Sequence, residues 1–72
     1  MSAYPICTPK ELVRILRKLG FEFYRQKGGH QIFVKDERMV VVPMHSKDLK
    51  RPTQNNIIKG TGLSQEEFFK NK

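Results

Sequence analysis

The sequence predicts an α+β fold of order α-β-β-β-α, a three-stranded antiparallel sheet with its helices on one face. Three observations lead there. A capped amphipathic helix stands near the start, three short β-prone runs follow with tight turn signals between them, and apolar pairs return at helical spacing near the end. With 72 residues there is room for one small domain, predicted to span 1–72 with an ordered core over about residues 8–69.

The elements follow in order. Thr8-Pro9-Lys10-Glu11 supplies an N-cap, a proline at the first helical position and a glutamate at capping-box spacing. Leu12, Ile15, Leu16 and Leu19 recur on one face of the helix, and Lys10, Arg14, Arg17 and Lys18 fall mostly on the other. Gly20 suits the C′ position, so the first helix covers about residues 9–19. FEFYRQ (21–26) is rich in aromatics that favour a pleated surface, Lys27-Gly28-Gly29 signals a turn, and HQIFVK (30–35) is the second strand. Asp36-Glu37 is the second turn, and MVVV (39–42) is the third strand, ended by Pro43. After the polar loop MHSKDLKRP, Thr53 is the expected N-cap of a helix from Gln54 to about Thr61, anchored by Ile57 and Ile58. Ser64-Gln65-Glu66-Glu67 is a second capping box, opening a short helix that brings Phe68 and Phe69. The expected core is Leu12, Leu16, Leu19, Phe21, Phe23, Val40, Val42, Ile57, Ile58 and Phe68. Strands two and three are apolar at both parities, which leaves their faces open.

Composition excludes several classes. No apolar run approaches the ~20 residues that cross a bilayer, and MSAYPICTPK has no apolar signal-peptide segment. A cytoplasmic protein without membrane association is expected. Cys7 has no partner for a disulfide, and one cysteine with two histidines cannot make a standard four-ligand zinc site. No carboxylate pair has spacing for Mg²⁺, and Gly28-Gly29 is too short for a P-loop, so neither metal nor small-molecule cofactor is expected. Fourteen Lys+Arg against seven Asp+Glu give a formal charge of +7, a field that attracts polyanions in a salt-dependent way.

Two histidines are the candidate proton carriers. His30 follows the Lys27-Gly28-Gly29 turn, with Arg25, Lys27 and Lys35 nearby. Paired glycines let a backbone approach a ligand closely, cations hold a phosphate and stabilise added negative charge, and an imidazole can take or give a proton. On spacing alone the stronger reading of His30 is a surface histidine after an ordinary hairpin turn. His45 follows the third strand. If strands two and three are antiparallel neighbours, both histidines share one edge of the sheet, and His45 becomes a candidate second acid or base; on spacing alone it is an ordinary loop residue.

Taken together, Leu19-Gly20-Phe21, Arg25-Gln26-Lys27-Gly28-Gly29-His30, Val41-Val42-Pro43 with His45, Ile57-Ile58 and Gly62-Leu63-Ser64 resemble the HicA family of toxin ribonucleases over about residues 8–69. The resemblance implies a fold similar to the double-stranded RNA-binding domain and ribosome-independent cleavage of mRNA. It also implies neutralisation by a HicB-type antitoxin. The family's catalytic histidine, in its Gly-Ser-His motif, maps onto His30; the family's serine is Gly29 here, which removes a hydroxyl able to bind phosphate or orient the ring. Under this reading His30 deprotonates a ribose 2′-OH that attacks the adjacent phosphorus, without a metal. Arg25, Lys27, Gly28, Gly29 and Lys47 hold the phosphate, and Arg14, Arg17 and Lys18 are expected to extend the grip on the backbone. The competing readings are a non-catalytic RNA-binding module of the same fold and a protein-interaction domain for an acidic partner.

Overall fold

A computed structural model describes residues 4–45 and 47–72; residues 1–3 and Ser46, the latter within the predicted polar loop, lie outside the described residues. The first helix, α1 (Pro9–Lys18), starts where its orphan donors are satisfied reciprocally. Glu11 N–H donates to Thr8 Oγ1 at 3.2 Å, and Thr8 N–H donates to Glu11 Oε1 at 2.9 Å. Leu12, Ile15 and Leu16 then turn one apolar stripe into the core.

Strands β1 (Glu22–Lys27), β2 (His30–Lys35) and β3 (Arg38–Pro43) form an antiparallel sheet in the order β1-β2-β3. Each turn holds two residues: Lys27 pairs with His30 across Gly28-Gly29, and Lys35 with Arg38 across Asp36-Glu37. The pairing decides the faces that the sequence left open. Phe33, Val40 and Val42 are buried and share one parity, so they turn to the helices. His30, Ile32 and Val34 have the other parity, and with their β3 partners Pro43, Val41 and Met39 they form the open face.

Helix α2 (Arg51–Gly60) packs beside β3, and α3 (Gln65–Phe69) closes the end of the core with Phe68. The capping box at Ser64 and Glu67 is present as the sequence predicts. Helix α2 begins three residues before the predicted start. Its N-cap is Lys50, which makes no side-chain capping bond, and Thr53 lies inside the helix. Tertiary contacts take the place of the cap. The carboxamide of Gln54, fully buried, accepts from Cys7 N–H at 2.7 Å and donates to Pro5 C=O at 3.0 Å, while Leu49 N–H donates to Cys7 C=O at 3.0 Å. The segment Pro5–Cys7 is thereby tied to α2.

The core contains Leu12, Leu16, Phe21, Val40, Val42, Ile57, Ile58 and Phe68, as expected, together with Cys7, Ile15, Phe33 and Leu49. Phe23 is 46% exposed and Leu19 only half-buried. Phe23 lies on β1, every residue of which is exposed while the helices pack against β3, and Leu19 caps α1 at the margin of the core. Phe23 meets Phe33 edge-on, at 5.9 Å between centroids. A bulge at Tyr24 breaks the alternation of β1, since Phe23 and Arg25 pair with the consecutive residues Phe33 and Ile32.

Candidate active site

The hairpin turn builds the site. Gly28 has φ +59, and the Gln26 side chain donates to its carbonyl at 3.1 Å. Gly29 meets a different demand. Its carbonyl accepts from Met44 N–H at 2.7 Å, which carries the β2–β3 pairing one step past the strands and delivers His45 above the turn. A Cβ placed on Gly29 would overlap that imidazole, lying 2.9 Å from Cε1 and 3.2 Å from Cγ. The ring of His45 occupies the space that a side chain at position 29 would take.

His30, at the first position of β2, is exposed on the open face beside Lys27, its register partner. The His30 and His45 rings stand 5.9 Å apart between centroids and 75° from parallel. The antiparallel pairing predicted to bring the two histidines to one edge does so. His45 Nδ1 lies 3.4 Å from the Gly29 carbonyl. A carbonyl can only accept, so this contact favours the hydrogen on Nδ1 and leaves the lone pair on Nε2.

A cleft of about 430 Å³ opens beside the two rings, walled by His30, Pro43, His45, Asp48, Lys50 and Thr53. Lys50, Asp48 and Thr53 were not singled out from the sequence. The signal available for Lys50 was the cation-rich stretch 47–51 that begins two residues after His45; Thr53 was concealed by its expected role as a cap. Arg25 shares the open face through its pairing with Ile32, and Lys47 is exposed in the loop after His45. Lys35 does not join them, because its ammonium donates to the Leu19 carbonyl at 2.6 Å, at the end of α1. Arg14, Arg17 and Lys18 are exposed on α1, in the layer across the sheet from the face His30 occupies.

Cys7 is buried, and that burial pushes its thiol pKa up. No group of three or more His, Cys, Asp or Glu among the described residues is placed to hold a metal ion. No helix among the described residues is long and apolar enough to cross a membrane.

A comparison with curated proteins gives no match. A comparison with family models matches residues 9–63 to the family described as the HicA toxin of bacterial toxin–antitoxin.

Proposed function

The chain belongs to the HicA toxin family of bacterial toxin–antitoxin systems, and from that premise we propose that it is a cytoplasmic endoribonuclease that cleaves mRNA with His30 and His45 as its proton carriers. The observation that carries the reading is the pair of exposed imidazoles, 5.9 Å apart at a glycine turn, with Lys27 in register beside His30. His30 takes the proton of a ribose 2′-OH, whose oxygen attacks the adjacent phosphorus. The P–O5′ bond breaks as His45 Nε2 returns a proton to the leaving oxygen. The products are a 2′,3′-cyclic phosphate and a 5′-OH. Lys27, with Arg25 and Lys47 on the approach, stabilises the charge that builds on the phosphoryl oxygens, and the Gly28 backbone, open where a side chain would stand, admits the strand closely. The partner is a HicB-type antitoxin whose acidic surface covers His30, drawn to the toxin by its +7 charge.

The test is incubation of the purified protein with end-labelled RNA. Wild type is expected to yield cyclic-phosphate ends at a rate that a chelator leaves unchanged. His30→Ala is expected to lower that rate by about a hundredfold or more. Full cleavage by His30→Ala would refute the scheme, and a gel shift without cleavage would return the non-catalytic RNA-binding module.

A further inference from the structure

A second cleft, of about 240 Å³, adjoins the histidine cleft along β3 and shares Val41 and Thr53 with it. Its other walls come from Met39 and Val40 of β3 and Asn56, Ile57 and Gly60 of α2. Both parities of β3 contribute, so the cleft follows the unpaired edge of that strand. The edge is polar in a defined way. Along an antiparallel strand each residue points its N–H and C=O to the same side, and successive residues alternate. Met44 N–H reaches toward β2, where it meets Gly29 C=O, so Val42 and Val40 face β2 as well, and Val41 and Met39 face outward. The Met39 carbonyl oxygen, 3.9 Å from a Cβ placed on Gly60, agrees with that direction.

Gly60 brings α2 so near β3 that a Cβ there would stand 2.9 Å from Val40 Cγ1, which narrows the far end of the groove. A small flat group can enter. It would find the exposed Val41 side chain, an outward backbone donor and acceptor at Val41, and the carboxamide of the exposed Asn56 across the groove. Val41 lies two residues along β3 from Pro43, the register partner of His30, or about 7 Å. That is the reach from a phosphate to the base of its own nucleotide.

We infer that the groove between β3 and α2 is a subsite for one unpaired nucleobase of RNA, next to the phosphodiester held at His30 and His45. The inference rests on the ribonuclease reading and adds to it that recognition is of a splayed-out base in single-stranded RNA, by hydrogen bonds to its edge. Val41 fixes the backbone half of the pattern, and Asn56 is the specificity-determining side chain.

The experiment uses the full chain and short single-stranded RNAs in which one position is cleavable and each flanking nucleotide carries one of the four bases or none. Wild type is expected to prefer one base on one flank and to lose about tenfold in kcat/KM when that base is removed. Asn56→Ala, a substitution at an exposed helix position, is expected to cleave the baseless substrate at the wild-type rate while losing the preference among bases. In parallel, an RNA blocked by a 2′-deoxy sugar at the cleavage position should shift the amide resonances of Val41, Thr53 and Asn56. Cleavage indifferent to the flanking base, with those amides unmoved, overturns the subsite and leaves the ribonuclease standing. No cleavage of any RNA overturns both, and amide shifts produced only by an antitoxin assign the groove to the protein partner instead.

Discussion

His45 lies over Gly29 in the place of a missing side chain, and this one contact changes the meaning of both residues. A side chain at position 29 would sit where the ring now stands. That space is filled by an imidazole from beyond the end of β3, with Nδ1 3.4 Å from the Gly29 carbonyl. Position 29 has no left-handed φ, so a side chain there meets the ring and not backbone strain. Gly29→Ser is expected to displace His45 and to lower cleavage as far as His45→Ala does, about a hundredfold, with the double variant no worse than either single one. Melting curves should move by no more than about 0.5 kcal/mol, since His45 is exposed. Wild-type cleavage by Gly29→Ser would show that the ring has no part in the reaction. The proximity of the two histidines was legible, because antiparallel pairing alone brings residue 30 to residue 43. The overlap with Gly29 was not, since it depends on the path taken after Met44.

At the level of elements, local chemistry was legible wherever it acts within one turn. Both capping boxes form between residues three apart, and the two-residue hairpins lie where glycine or acidic turn residues stand. Thr8→Ala is expected to cost about 1 kcal/mol. The Thr8 backbone N–H holds the Glu11 carboxyl below the ordinary carboxylate range. A lowered folded value means that the stabilisation is fully present above the unfolded value of about 4.3 and is lost as pH falls through the folded one. The gap in urea midpoint between wild type and Glu11→Ala should accordingly be widest near neutrality and close on acidification. A gap that persists in acid would place the contribution of Glu11 elsewhere. Misreadings arose where distant segments decide. Thr53 has the better capping side chain, yet α2 starts at Arg51 because Gln54 is fastened to Pro5 and Cys7. The aromatics of β1 fit a core strand by propensity, but every residue of that strand is exposed.

The whole molecule carries its charge unevenly with respect to the proposed chemistry. The cations of α1 and those around His30 belong to opposite sides of the sheet, a separation invisible to a count of +7. RNA affinity should fall with salt by about 0.7 logarithmic units per logarithmic unit for each phosphate neutralised. Replacing Lys27 with alanine should flatten that slope and slow cleavage, while replacing Arg17 should leave cleavage near wild type. Equal losses from both would mean that RNA wraps the molecule and does not lie on the open face. The order of elements and the sheet itself were readable from periodicity and turn residues; which face carries the site required the register. The Gln54 carboxamide gives the architecture a remote control point. It rivets residues 5–7 to α2, which walls the groove beside β3 and lends Thr53 to the histidine cleft, so the width of the proposed RNA path is set from outside both clefts. Clipping the peptide ahead of α1, or tugging on it through a fused domain, would leave that amide unmatched in the interior and slacken the wall while His30 and His45 stayed put.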